Sequence, residues 1–367
     1  MRELERKQRF VVVGGGVVGC ATAFALARCG CSVTLLERHG IAAHASGVSA
    51  GNLNPLHGAV PALVPMALRA FRLHAEVRAA LQALGCTDYV VTPVSRLHLA
   101  YEGSEQQPLD ALARLFNAHS GFAARWLERT ELFRVAPYLD RTAQFGLLTE
   151  GAAALNGHDF TCSLAAGASR LGCAIRLEEV MGVTSRGDAI TGVVTRGGTL
   201  PCDAVVFATG AWVGELKSWL GVDVPVEPVK GELLRMSLPR AQLQHDLTSG
   251  ATSIYRRAGD EVWIGTTWHK FGLDEQPSPE ARAELLKEGA RILPEIDRGD
   301  VLDHVAGLRP VSRTGLPLVL RAGPWRNAFV ANGAGAKGML LSVAIAATLC
   351  ESYLNGSDPP ELAGAPG

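Results

Sequence analysis

A chain of 367 residues with 47% hydrophobic residues, 19% charged residues and 41 glycines has room for two domains and the composition of a turn-rich α/β protein. A disulfide-stapled miniprotein is excluded, and so is intrinsic disorder outside the ends. With 35 Lys and Arg against 36 Asp and Glu the formal net charge is −1, so no global field collects nucleic acid or anionic lipid.

The chain opens on MRELERKQR and an uncharged stretch, 10–27, with the outline of a signal peptide or anchor. Glu3 and Glu5 in the charged part and Gly14-Gly15-Gly16 in the apolar part argue against both, so no membrane span is expected. Residues 10–13 are β-branched and stop at glycines, 17–28 carry Ala, Phe and Leu at helical spacing, and 32–36 form a second strand ending in Glu37. This predicts a β-α-β unit of the kind that builds a parallel sheet. A small-residue loop, 44–52, precedes an amphipathic helix over 61–84.

Strands are predicted at 89–91 and 96–101, and helices at 108–116 and 159–171. Further strands are predicted at 190–194 and 204–208, the latter near-continuously apolar. Residues 253–257 and 261–265 read as a hairpin with 229–236 in the same antiparallel sheet. Strands at 316–320 and 328–331 and a helix over 338–353 come last, before a frayed tail at 355–367. Parallel signals thus bracket antiparallel ones, which predicts two discontinuous domains: 1–85, 146–215 and 302–367 for a dinucleotide, and 86–145 and 216–301 for a substrate. The eight cysteines are scattered, and Cys29-x-Cys31 has neither zinc-finger nor thioredoxin spacing, which predicts reduced thiols, no metal site and a cytoplasmic protein.

Gly14-x-Gly16-x-x-Gly19 follows a strand and opens a helix, the context in which such glycines cradle a pyrophosphate. Glu37 follows Gly14 by 23 residues, where a carboxylate accepts hydrogen bonds from ribose hydroxyls. These residues alone leave NAD and FAD both open. The run 205–212 takes an apolar strand into a turn at Thr209 and Gly210 that brings backbone close to something bulky. The loop 331–337 places Lys337 at a helix start, where the dipole disfavours a cation unless an anion docks at the same end; the alternative is a solvated lysine. Arg309 stands in an apolar stretch and needs a carboxylate, internal or from a substrate.

Together VVVGGGVVG, Glu37, ASGVSAGN at 45–52, FATGAW at 207–212, PVKGELL at 228–234, GLRPVSRTGLPLV at 307–319 and GAGAKGMLL at 333–341 resemble the FAD-dependent D-amino-acid oxidase family. The resemblance is strongest to its glycine oxidase and sarcosine oxidase branch and spans nearly the whole chain. It implies a glutathione-reductase-type α/β fold, with a Rossmann-like FAD domain and a mainly antiparallel substrate domain. It also implies that Glu37 and Arg38 contact the adenosine ribose, that Ala45, Ser46, Ala50, Gly51 and Asn52 line the pyrophosphate and ribityl chain, and that Val180 meets the adenine. Arg309 would grip a substrate carboxylate, and Gly335, Lys337, Gly338 and Met339 would cover the flavin pyrimidine edge.

Three positions depart from the family pattern. Thr314 replaces a common aspartate, Ser253 stands where glycine oxidases have a pocket tyrosine, with Tyr255 next on the same face, and Trp263 stands where sarcosine oxidases have a lysine that activates oxygen. No cysteine stands where some sarcosine oxidases attach flavin, which implies noncovalent FAD. The implied reaction moves hydride from an amine carbon to flavin N5, giving an imine that hydrolyses to an oxoacid and an amine, with O₂ or another acceptor taking the electrons. Sarcosine, glycine and iminodiacetate are the favoured substrate type, with Asn52, Lys337, Arg309, Tyr255 and Ser253 at the substrate and His44, His57 or His269 as proton acceptors if one is needed. A homo-oligomer is compatible with this reading. The alternatives are the FAD enzyme of tRNA wobble-uridine modification, which the balanced charge disfavours, a flavin subunit of a hetero-oligomeric dehydrogenase, and a nicotinamide-only dehydrogenase.

Overall fold

The computed structural model describes residues 7–357. Strand Arg9–Val13, helix Val17–Arg28 and strand Ser32–Glu37 form the expected β-α-β unit. Arg9–Val13 is central in a six-stranded sheet, flanked by Ser32–Glu37 and Ala204–Phe207, both parallel to it. Ala174–Leu177 and Ala328–Asn332 extend the sheet in parallel, and Leu318–Arg321 closes one edge antiparallel. The two central apolar runs, 10–13 and 204–207, are buried throughout, as strands covered on both faces require. Helices Val17–Arg28, Gly157–Arg170, Val64–Ala83 and Gly338–Leu354 pack together beside this sheet and share its core. The last is apolar almost all round because almost all of it is buried.

The second sheet has nine strands and is mainly antiparallel. In order they are Asp300–Ser312, Val226–Ser237, Glu261–Gly265, Thr252–Arg256, Asp246–Ser249, Thr92–Ala100, Phe145–Ala154 and Asn52–Leu53, with Ala123–Glu128 also paired to Phe145–Ala154. The one parallel pairing joins Asp246–Ser249 to Thr92–Ala100. A separate three-stranded sheet comprises Val180–Arg186, Ala189–Thr195 and Gly198–Pro201.

The structure differs from the sequence reading in several places. Residues 89–91 are extended but outside any ladder; Tyr89 reads as a strand residue because it is buried against the Phe160 ring, 5.1 Å away between centroids. Phe145–Ala154 and Asp300–Ser312, at the starts of the ranges 146–215 and 302–367, belong to the nine-stranded sheet. Their partners, Thr92–Ala100 and Val226–Ser237, lie about 50 to 80 residues away in sequence, and local pattern does not encode such pairings. Helix Pro279–Ile292 went unread although it carries a start signal: Pro279 is its first residue, and the Ser278 side chain accepts the Ala281 N–H. Residues 1–6 of the charged start and 358–367 of the tail lie outside the described residues. No described helix is long and apolar enough to cross a membrane.

Candidate active site

Strand ends from both large sheets converge on a cavity of about 410 Å³, a volume ordinary for a small-molecule site. At one end the chain turns from strand to helix. Gly14 has φ 113°, and a Cβ there would stand 2.4 Å from the Ala208 carbonyl oxygen. Gly19 serves packing, since a Cβ there would sit 1.8 Å from the Gly14 oxygen. Gly16 begins helix Val17–Arg28 with no side-chain cap and no acid in the first turn. The helix end therefore presents its positive pole to the cavity that Gly16, Val17 and Val18 line. Ser46 Oγ accepts the Val17 N–H at 2.9 Å and fixes the loop 44–52 over that turn.

Glu37 accepts the Gly15 N–H at 2.6 Å and the His39 N–H at 2.8 Å. A carboxylate offers about four lone-pair sites, so acceptor capacity remains for a ribose. Arg38 donates to Glu215 at 3.0 Å and lies 5.0 Å over the Trp212 ring, which ties the end of the second strand to the turn after Ala204–Phe207. His44 bridges His39 at 2.8 Å and Glu275 at 2.6 Å, linking the 44–52 loop to the segment before helix Pro279–Ile292. Val180 borders the same end.

At the other end stands Arg309, on strand Asp300–Ser312. Gly231 makes its place, and Gly307 makes room for the 44–52 loop. Gly231 and Gly307 face each other across the ladder; a Cβ on Gly231 would lie 2.1 Å from the Arg309 guanidinium, and one on Gly307 would lie 2.8 Å from Val48 Cγ2. Arg309 Nη1 donates to the Thr267 carbonyl at 3.0 Å, and the guanidinium lies 5.1 Å over the Trp268 ring. Burial holds its pKa below the usual arginine value, with Tyr255 opposing. Among the described residues no carboxylate lies within ion-pair distance of it, so the internal partner that the sequence left open is not there. Ser253, hydrogen-bonded to Thr248 at 2.9 Å, and Tyr255 line the wall beside Arg309.

Lys337 is half-buried, and its Nζ donates to the carbonyls of Asn54 at 2.8 Å and His57 at 2.7 Å. It is therefore anchored to the 54–57 loop rather than solvated. Burial first and Arg96 second push its pKa down to about 8.

The candidate residues from the sequence line this one cavity, Gly19 and His269 excepted: Gly14, Gly16, Glu37, Arg38, His44, Ala45, Ser46, Ala50, Gly51, Asn52, His57, Val180, Thr209, Gly210, Ser253, Tyr255, Arg309, Gly335, Lys337, Gly338 and Met339. His269 does not; it pairs through its backbone with Lys230, and its ring faces Glu284. Trp263 also stays out, packed against Arg257 and Arg235. Sequence reasoning missed Asn332, which donates to the Gly210 carbonyl at 3.0 Å, and Arg96, whose only signal is an arginine in a strand otherwise becoming apolar.

His57 and His98 are poor bases. His57 is pushed down to about 3 by burial, then by Arg96 and Lys337. His98 is held well below its ordinary value by burial, then by His57 and Arg96. Away from the cavity, burial takes His74 down to about 4. Because these folded-state values lie below the ordinary 6.5, the unfolded chain binds more protons between about pH 6.5 and 3. The stability they contribute is present above 6.5 and lost as pH falls through 4 and 3. The thermal midpoint is accordingly expected to drop on acidification across that window, and a flat profile from pH 6.5 to 4 would contradict the burial of these rings.

Residues 9–352 match the family described as FAD dependent oxidoreductase (DAO). The chain is 30% identical over 352 residues to a glycine oxidase of Pseudomonas aeruginosa, covering 88% of this chain and 91% of the relative. The crystal structure of glycine oxidase from Geobacillus kaustophilus superposes with a TM-score of 0.89 at 26% identity, covering 98% of this chain and 100% of that one. That of iminodiacetate oxidase from Chelativorans sp. BNC1 shares the fold, with a TM-score of 0.86 at 21% identity over 96% of each chain. The choice between NAD and FAD that the glycines left open is thereby made, and the chain belongs to the DAO family of FAD-dependent oxidoreductases.

Proposed function

We propose that the chain oxidises the C–N bond of a small amino acid or N-substituted glycine, of the glycine, sarcosine or iminodiacetate type. The product imine is hydrolysed by water to an oxoacid and an amine. The observation that carries this reading is Arg309, a guanidinium on the cavity wall with a backbone carbonyl as partner and no carboxylate in reach among the described residues. Leaving such a group unpaired away from water is costly, and a substrate carboxylate relieves it. The names of the relatives, glycine oxidases and an iminodiacetate oxidase, support the same class.

The residues fit FAD on three counts: glycines where a side chain would fill the cradle, a helix end at the cavity with glycine at its N-cap and no acid in its first turn, and Glu37 beside it. The 14–19 turn, Ser46 and Glu37 would hold the dinucleotide, and 333–339 with Lys337 would border its far edge. When bound, FAD supplies the hydride acceptor. Arg309 holds the substrate carboxylate in two parallel hydrogen bonds and so fixes the carbon that is oxidised. Tyr255 flanks that carboxylate and narrows the site. Neither His57 nor His98 takes a proton at neutral pH, and an amine that enters in its neutral form needs no side-chain base. The six-stranded part thus serves the dinucleotide and the nine-stranded sheet forms the substrate wall. The eight cysteines, all unpaired, support a reducing, cytoplasmic setting.

The test is the visible spectrum of the purified protein under anaerobic addition of sarcosine, glycine, iminodiacetate, proline and D-alanine. Bleaching by one of the first three is expected. Recovery within seconds of admitting air identifies O₂ as acceptor, and slow recovery identifies a dehydrogenase. A flavin that none of the five bleaches would overturn the substrate class.

A further inference from the structure

The substrate end of the cavity carries more positive charge than one carboxylate needs. Arg96, on strand Thr92–Ala100, lines the cavity with Tyr255, Arg309 and Lys337. Its Nη2 donates to Asp246 at 3.0 Å with both side chains 4% exposed. Its Nη1 is 3.4 Å from His57 Nδ1, and its buried Nε has no partner. The guanidinium carbon stands 5.3 Å from the Tyr255 ring centre, and that of Arg257 stands 5.6 Å from the same ring. Arg257 donates to the carbonyls of Arg256 and Ala50. Among the described residues Asp246 is the sole carboxylate in ion-pair contact with any of Arg96, Arg257, Arg309 and Lys337, and Asp246 is also spent on the Arg256 N–H at 2.9 Å.

Among the described residues these three arginines and one lysine thus have a single carboxylate in ion-pair contact, that of Asp246 with Arg96. The bound dinucleotide answers Lys337, and a substrate carboxylate answers Arg309. Arg96 keeps Asp246, and Arg257 has backbone carbonyls alone, with both guanidinia against the Tyr255 ring. A site in this condition favours a ligand that brings a second negative group, because each buried donor left without an acceptor costs free energy.

We propose that Arg96, beside Tyr255, forms a second anion subsite, so that the preferred substrate is an amino acid or N-substituted glycine bearing two carboxylates. This rests on the reading that Arg309 holds the first. Arg309 takes the carboxylate next to the oxidised carbon, and Arg96, whose guanidinium lies 5.3 Å from the Tyr255 ring centre on the same cavity wall, takes the distal one. A substrate with a methyl or hydrogen in place of the distal carboxylate leaves the buried Arg96 Nε without an acceptor and is disfavoured accordingly.

The flavin-loaded enzyme reports binding of acids it cannot oxidise through changes in its visible spectrum. Titration with acetate, propionate, malonate and succinate is expected to give dicarboxylate affinities roughly 10- to 100-fold above the monocarboxylates, the worth of one hydrogen bond to a charged group. The kcat/KM for iminodiacetate and aspartate should exceed that for sarcosine and alanine in the same direction. The paired variant Arg96→Met/Asp246→Asn removes both buried charges together and is expected to bring the dicarboxylate to monocarboxylate affinity ratio close to one. Equal binding of the two classes by the wild-type enzyme overturns the second subsite, as does a preference that survives in the paired variant. The wild-type comparison decides even if that variant does not fold. A flavin spectrum that no acid of either class perturbs removes the Arg309 site itself, an outcome distinct from equal binding.

Discussion

Arg309→Met lowers kcat/KM for a carboxylate substrate by roughly 10²- to 10³-fold, the worth of two charge-assisted hydrogen bonds at partial exposure, with most of the loss in KM. The geometry makes the change clean. Methionine keeps an unbranched apolar stem while vacating the guanidinium's place over Gly231 and Trp268, and among the described residues no internal carboxylate loses a partner. Flavin content and thermal midpoint should therefore stay close to wild type, which separates loss of the anchor from loss of the fold. Gly231→Ala supplies an independent route to the same result. Its added methyl would lie 2.1 to 2.2 Å from the guanidinium and must displace it, so KM rises without any change of charge. Steady-state kinetics with sarcosine or iminodiacetate check both variants. A change below about threefold in Arg309→Met would move the carboxylate elsewhere, since even one lost charged hydrogen bond costs more than that.

The parts of this molecule legible from sequence are those whose cause is local. The β-α-β unit announces itself through a β-branched run, three spaced glycines and an acid at the next strand end, because each of those residues answers to a neighbour within about one turn or one strand. The hairpin at 252–265 is legible for the same reason. Sheet membership is not: Phe145–Ala154 and Asp300–Ser312 join the nine-stranded sheet through partners far along the chain. The first half of Asp300–Ser312 is also partly exposed and charged, with Asp300, Asp303 and His304, so no apolar run marks it as a strand.

The site divides along the same line. The dinucleotide end was readable because its glycines are demanded by backbone geometry, and backbone demands leave few substitutes. The function of the glycines in PVKGELL and GLRP emerges only when Gly231 is seen under Arg309 and Gly307, opposite it, against Val48 and Ala45. Arg96 was invisible because its meaning lies in Asp246, 150 residues away, and in a ring from a third strand. Lys337 was read from its place at a helix start, whereas the structure explains it through two carbonyls about 280 residues earlier in the chain.

Gly14→Ala is expected to leave less than about a tenth of the wild-type yield of soluble, flavin-loaded protein, the outcome when strain and overlap coincide at one buried backbone position. At φ 113° an L-residue is strained whatever the surrounding space. Here the space is also absent, since the new methyl would meet the Ala208 carbonyl oxygen at 2.4 Å. Relief would require strand Ala204–Phe207 to retreat from Arg9–Val13, its parallel neighbour in the middle of the sheet. Gly335→Ala is the control that isolates the second cause. Gly335 also has positive φ, 54°, and lines the same cavity, but an added Cβ there meets only Val311 Cγ2, at 3.8 Å. Its cost is the conformational preference alone, about 1 to 2 kcal/mol, so this variant should fold and retain flavin with a thermal midpoint a few degrees lower. The ratio of flavin to protein absorbance after gel filtration reads both. If Gly14→Ala kept its flavin as well as Gly335→Ala does, the close approach of the two central strands at the dinucleotide turn would be wrong, and with it the reason this position is glycine.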